Sequence, residues 1–316
     1  MISPARKMNE YSSETSRPVV LCAGIAVMDF IFRVDRFPTP ASKTPMQEFV
    51  ITGGGCAANA AITIARLGGR AKFCGPLGDD DMSDHIVQGL VGAGVDVDGV
   101  VRVAGAEASV SGIFIDPAGE RLLTTRREHG LDAARILDPD AMAQEVDAVL
   151  ADNHFADFVL PICRAAAGRG IPVVLDIDKP TDPADPLFAC TSHAIFSAEA
   201  LRVTTGILEC EAALACAAEF CHGLVAATDG AMGVRWRDGN IVRHVPAFEV
   251  RAMDTLAAGD VFHGAFALAF AEGGDEVECL RFASAAAALK CTRFGGIAGA
   301  PARAEVELLL ASVTPR

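Results

Sequence analysis

The chain has 316 residues, 51% hydrophobic and 22% charged, with a formal net charge of −14; such a composition suits one large globular core, with or without a small appendage. Its Lys and Arg are scattered without a basic stripe, which argues against a nucleic-acid partner, and no uninterrupted apolar run is long enough to span a membrane. The ten cysteines form no C-x-x-C pair and sit mostly among Ala and Val, so they read as reduced thiols of a cytoplasmic protein rather than zinc ligands or disulfides.

Residues 1–17 are polar, lack the apolar centre of a signal peptide, and read as a loose tail before a single domain over 18–316. "PVVLCAGIAVMDFIF" reads as one buried strand starting near Val19, and "CAANAAITIARLGG" as a helix with a glycine stop. "RAKFCGPLG" reads as a strand, and "DDDMSDHIVQGLVGAG" as a helix opened by acids at its positive end. "AVLAD" and "IPVVLDID" are further strands with the helix "FVLPICRAAAGRG" between them, and "HAIFS" and "GLVAATDG" continue the pattern. The alternation predicts an α/β fold: a doubly wound, mostly parallel sheet between two helical layers. Segments 33–52 and 100–125 break it, reading as extended β material with a hairpin turn at "DPAG" (116–119). They are expected to form a small β-sheet lid on the main domain.

Four stretches are candidates for chemistry. In "DTLAAGDVFHGAFALAF" the small loop Ala257-Ala258-Gly259 leads into Asp260 and an apolar helix. Its backbone N–H groups can approach an anion, beside a carboxylate able to take a proton from a hydroxyl. An aspartate there is also a favoured helix N-cap, the simpler reading of this stretch alone. In "GGGCAAN", Gly54 and Gly55 let a ligand approach the backbone, and Asn59 can donate to and accept from sugar hydroxyls; an ordinary tight turn would look the same. The stretch is not a Walker loop, since its lysine and hydroxyl are absent. Asp29 is a lone acid in an apolar strand, expensive unless sugar hydroxyls or backbone N–H groups bind it. In "TDGAMGV", Thr228, Gly230 and Gly233 suit a turn against a nucleotide phosphate, although such turns abound.

Together and in order, "GGGCAAN", "GPLGDDD", "IDPAGER", "TDGAMG" and "DTLAAGD" resemble the ribokinase-like (PfkB-type) carbohydrate kinases from Val19 to Pro301. The resemblance implies a ribokinase-like three-layer α/β/α core with a β lid that also serves as a dimer clasp, hence a homodimer. It implies transfer of the γ-phosphoryl of ATP, with Mg²⁺, to a primary hydroxyl of a small sugar. Asp260 matches the catalytic base, and Ala257, Ala258 and Gly259 the anion hole. Asp29, Gly54, Gly55 and Asn59 match sugar contacts; Thr228, Gly230 and Gly233 match nucleotide turns, and Ser284 the adenine pocket. Asp254 lies where members that bind a monovalent cation such as K⁺ place a ligand. The chain departs from the family pattern in two places. Ala257 replaces a glycine, which strains any φ > 0. The N-x-x-E that helps hold Mg²⁺ reads Ser197-Ala198-Glu199-Ala200.

"GIAVMDFIF", "VFHGA" and "AALKCTRFGGIAG" resemble the sulfofructose kinase subgroup, where donors hold a sulfonate. Lys43 matches one donor; the other two positions are Thr125, flanked by Arg126 and Arg127, and His154. An anionic sugar and a neutral ketose therefore both stand as expectations. The departures motivate one rival, a sugar- or nucleotide-binding protein of this fold impaired in catalysis. The other, a nicotinamide oxidoreductase, lacks the G-x-G-x-x-G it needs after the first strand.

Overall fold

The computed structural model describes residues 17–313, so the expected tail lies, but for Arg17, outside the described residues. Eight strands form the main sheet in the spatial order 241–245, 234–238, 224–228, 193–197, 173–177, 148–152, 19–23, 70–74. The last six run parallel, and the first two pair antiparallel at the edge. Each of Val19–Ala23, Ala148–Asp152 and Val173–Ile177 is buried along its whole length, as expected of parallel strands covered on both faces.

The helices form two layers. Cys56–Arg66, Ala258–Ala271 and Glu276–Cys291 pack one face, around Phe73, Phe266 and Leu268. Ala156–Gly168, Ala198–Thr205 and Cys210–Ala217 pack the other, around Phe158, Phe188 and Phe196. The expected three-layer α/β/α architecture is therefore present.

A second, four-stranded sheet is built in the order 46–54, 27–34, 109–115, 121–126. It corrects the reading of "PVVLCAGIAVMDFIF" as one strand. Val19–Ala23 ends in the main sheet, Gly24 turns the chain at φ 150°, and Val27–Val34 belongs to the small sheet. A side chain at position 24 would overlap the Asp152 carboxylate, so the bend needs glycine for space as well as conformation. The small sheet thus begins at Val27 rather than 33, and 36–45 is loop. "RAKFCGPLG" divides likewise: Arg70–Cys74 stays in the main sheet, whereas Pro76–Leu77 pairs with Val101–Arg102. All ten cysteines are free, and among the described residues no helix is long and apolar enough to cross a membrane.

Candidate active site

Val19–Ala23 has the strand 70–74 on one side and 148–152 on the other, so successive crossovers diverge there and leave a crevice at the carboxyl ends. Asp152, fully buried, bridges that crevice. Its Oδ2 accepts from the N–H of Ile25 at 2.7 Å and of Ala57 at 3.2 Å, and its Oδ1 from the N–H of His154 at 2.9 Å. One carboxylate thereby ties the exit of the first strand to the start of helix Cys56–Arg66. Burial raises its pKa, with the backbone donors opposing.

That helix starts after Gly55, whose φ is 96° and where a Cβ would stand 2.6 Å from the Ile25 carbonyl oxygen. The glycine is therefore required by the turn itself. Asn59, in the first turns, donates from Nδ2 to Asp260 Oδ2 at 2.6 Å, and its buried Oδ1 has no partner among the described residues. Two motifs 201 residues apart thus meet in one hydrogen bond.

Helix Ala258–Ala271 removes the N-cap reading of Asp260. Its N-cap is Ala257, and no side chain caps it. Asp260 lies inside the first turn and faces Asn59 instead of serving the backbone. Ala257 sits at φ 63°, ψ 8°, the left-handed strain expected where the family carries glycine. Among the described residues the N–H groups of Gly259 and Asp260 meet no acceptor within the protein, the usual state of first-turn amides. Burial raises the Asp260 pKa, and the Asn59 donor opposes the rise.

Acids missed in the sequence converge here. Asp176 is fully buried at the end of Val173–Ile177 and Asp178 follows it; ligand atoms of Cys56, Asp176 and Asp260 lie within 4.8 Å of one another. Among the described residues Asp176 Oδ1 has no partner, and its Oδ2 is 3.3 Å from His263 Nδ1, which also bonds the Gly259 carbonyl at 2.8 Å. Burial and then the neighbouring carboxylates push Asp176 up. Asp29, on the small sheet, is pushed to about 7 by burial, with the Ser111 hydroxyl opposing and the Asp260 charge adding. Gly54 leaves room for it: a Cβ there would overlap the Asp29 carboxylate.

Asp29, Gly54, Asn59, Asp260 and the 257–259 loop come together, and His154 reaches them through Asp178. Lys43 is exposed in the 36–45 loop and forms no ion pair among the described residues. Thr125 is exposed, with Oγ1 at 3.3 Å from the Ser111 hydroxyl. Its flanking arginines are spent: Arg126 pairs with Glu107 and Glu128, and Arg127 pairs with Asp132 and lies over Phe155. His154 Nε2 lies 2.9 Å from Asp178, and although burial disfavours its charged form, the carboxylates raise its pKa overall.

Thr228 and the 229–233 turn sit at the end of Leu224–Thr228. Gly230 has φ 50° and Gly233 φ 84°, the latter also crowded by the Val245 carbonyl, so the turn alone accounts for both. Ser284 is buried within helix Glu276–Cys291, and its hydroxyl donates to the Leu280 carbonyl at 2.8 Å. The expectation for Asp254 is corrected. Its carboxylate is not open to a cation, because Lys290 Nζ lies 3.1 Å from Oδ2 while Leu256, Gly295 and Gly296 donate their N–H groups. Ser197, where the family has asparagine, caps helix Ala198–Thr205 by accepting from Ala200 N–H, and Glu199 is exposed. One contact was not anticipated. Arg121 reaches from the small sheet to the Thr255 carbonyl at 3.2 Å, and Thr255 Oγ1 donates to the Gly119 carbonyl at 3.2 Å. The "DPAGER" hairpin is thus docked on the segment leading into the 257–260 loop.

Known proteins share this fold. A family model described as pfkB family carbohydrate kinase matches residues 18–303. The chain is 30% identical over 290 residues to a ribokinase of Bacillus subtilis, covering 91% of this chain and 97% of that protein. A solved structure from Agrobacterium tumefaciens is 36% identical with a TM-score of 0.88, covering 94% of this chain and 98% of its own. The Arabidopsis thaliana ribokinase complexed with ribose and ATP is 26% identical with a TM-score of 0.80, covering 93% and 98%. With the match running across nearly all of the described residues, the chain belongs to the pfkB family of carbohydrate kinases and is an ATP-dependent sugar kinase.

Proposed function

We propose that Asp260 is the base that takes the proton from a primary hydroxyl of a small neutral sugar as that oxygen attacks the γ-phosphorus of ATP. The observation that carries this reading is the pairing of Asp260 with Asn59 directly beside the free N–H groups of Gly259 and Asp260. A carboxylate raised above its usual range is a better proton acceptor near neutral pH, and fixed amides suit the charge on the equatorial phosphoryl oxygens. Asp29, Asn59 and the Gly54-Gly55 turn hold the sugar between the small sheet and helix Cys56–Arg66. Thr228, Gly230 and Gly233 shape the nucleotide side, with Ser284 contributing surface rather than a free hydroxyl. Closure of the small sheet would exclude water and limit ATP hydrolysis.

The charge around the acceptor side supports a neutral sugar over an anionic one. The charge of Asp260 acts on Asp29 and Asp176, that of Asp178 acts on Asp176 and Asp260, and of the expected anion donors Lys43 is exposed while His154 is engaged by Asp178. Mg²⁺, brought with the nucleotide, would offset phosphate charge. It prefers oxygen ligands and keeps several waters. Ser197 spends its hydroxyl on the helix cap and Cys56 is a poor ligand for it, which leaves exposed Glu199 as the chain's own carboxylate at that position. The small sheet carries exposed Phe49, Ile51, Leu122 and Leu123, which supports pairing with a second copy; sedimentation of Leu122→Arg against the parent chain reads this. Ten free thiols suit the reducing cytoplasm, which fractionation of the source cells would test. Turnover is tested by ADP release over a panel of neutral, carboxylated, phosphorylated and sulfonated sugars, with Asp260→Asn alongside. Turnover confined to the sulfonated sugar would overturn the neutral-substrate reading.

A further inference from the structure

We propose that the ammonium of Lys290 is a built-in monovalent cation that holds the 254–260 segment in its anion-binding shape, so that this kinase works without bound K⁺ or NH₄⁺. Lys290 lies near the end of helix Glu276–Cys291, and both its side chain and that of Asp254 are 0% exposed. Its Nζ donates to the Asp254 carbonyl at 2.7 Å and lies 3.1 Å from Asp254 Oδ2. One carbonyl and one carboxylate oxygen at these distances around a single positive charge are donors a potassium ion would accept. A lysine is expensive to bury, and the interior tolerates it only with a hydrogen-bonded partner of opposite charge.

The rest of Asp254 shows what the pair organises. Oδ1 accepts from Leu256 N–H at 2.8 Å, and Oδ2 from Gly295 and Gly296 N–H at 2.9 Å each. Two separate loops are thus gathered onto one carboxylate, and the chain then enters the left-handed Ala257 and the free amides of the helix start. Without the ammonium, a buried negative charge would stand five residues before Gly259, the first of the free amides that receive a phosphoryl group. With it, that charge is cancelled and the Asp254 backbone is pinned through its own carbonyl. Arg121, which also touches this segment through Thr255, and the Cys291 thiol are the other ionisable groups that act on Lys290. Burial lowers its pKa, while Asp254 opposes the fall. The inference rests on the reading of 257–260 as the phosphoryl-binding loop, but its first test needs no turnover.

The test compares full-length protein in KCl, NH₄Cl and choline chloride at equal ionic strength, by thermal melting and by ADP release. The parent chain is expected to show the same Tm and rate in all three salts. Lys290→Ala is expected to melt lower and to lose rate in choline, with K⁺ or NH₄⁺ restoring both saturably, the rate by about tenfold or more, as a site worth at least one decade of coupling would. Lys290→Met, which fills the space without charge, is expected to lose rate without rescue. A parent rate several-fold higher in KCl than in choline would overturn the proposal, as would Lys290→Met at the parent rate in choline. If Lys290→Ala folds only with K⁺ or NH₄⁺ present, the proposal stands; if it folds in no salt, the parent comparison decides alone. A cation-independent parent Tm with no sugar phosphorylated would leave this inference standing and remove the kinase mechanism.

Discussion

Gly53 and Gly54 are neighbours at the end of strand Met46–Gly54, yet the structure gives them opposite tolerance for a methyl group. A Cβ on Gly53 meets nothing within 4 Å, whereas one on Gly54 overlaps the Asp29 carboxylate. Neither has a left-handed φ, so the contrast is steric and specific to Asp29. Overpacking of this kind costs about 1–3 kcal/mol. If the carboxyl swings away to relieve it, the cost appears in sugar binding, as a factor of about 5–150 in kcat/KM for the sugar. The ATP KM should stay within about twofold, and Gly53→Ala should change either constant by less than about 0.5 kcal/mol, the range of surface substitutions. ADP release against sugar concentration, with melting curves as a control, reads all three. In an Asp29→Ala background, Gly54→Ala should add little, because both act through one carboxylate. Equal effects of Gly53→Ala and Gly54→Ala, or full additivity with Asp29→Ala, would refute the placement of Asp29 in the sugar site.

Ala257→Gly removes left-handed strain of about 1–2 kcal/mol but admits about 0.4–1 kcal/mol of unfolded-state entropy. The Tm should therefore rise slightly or stay level, and calorimetry showing a fall of more than about 4 °C would contradict the strained geometry. Asp29 has a pH signature. Its folded pKa of about 7 exceeds its unfolded value of 3.8, so between these limits the folded state binds more proton than the unfolded one. Its contribution to stability is most favourable below the unfolded pKa and falls as pH rises to about 7. Asn cannot ionise, so urea midpoints of Asp29→Asn should lose that downward component between about pH 4 and pH 7, and an unchanged profile would count against the raised pKa.

The α/β alternation was legible because each central strand is a short run buried on both faces and each helix ends at small or polar punctuation. The division of "PVVLCAGIAVMDFIF" was not, since both halves are apolar and periodicity cannot say to which sheet a strand belongs. Gly24 was the available signal, a glycine inside a strand pattern. Asp29 was found as an acid in an apolar strand. The same signal stood unused at Asp152, Asp176 and Asp178, in "AVLAD" and "VVLDID". Asp254 had the right type for a cation ligand, but its partner lies 36 residues later in an Ala-rich helix buried nearly all round, where no pattern marks Lys290 as special. The pairing of Asn59 with Asp260 was equally out of reach, because sequence spacing carries no information about contact across 201 positions.

The central claim is that Asp260 takes the proton beside the free amides of its own helix start. Its most direct test is single-turnover phosphoryl transfer by the parent chain and Asp260→Asn, on whichever sugar the panel identifies, with ATP and sugar affinities measured separately. The Asn variant keeps the size and the contact with Asn59 but cannot accept the proton. The variant's rate is expected to be lower by about 10²–10⁴-fold, the range that general-base loss produces, with both affinities within about fivefold of the parent. Transfer by Asp260→Asn within a few-fold of the parent rate would contradict it.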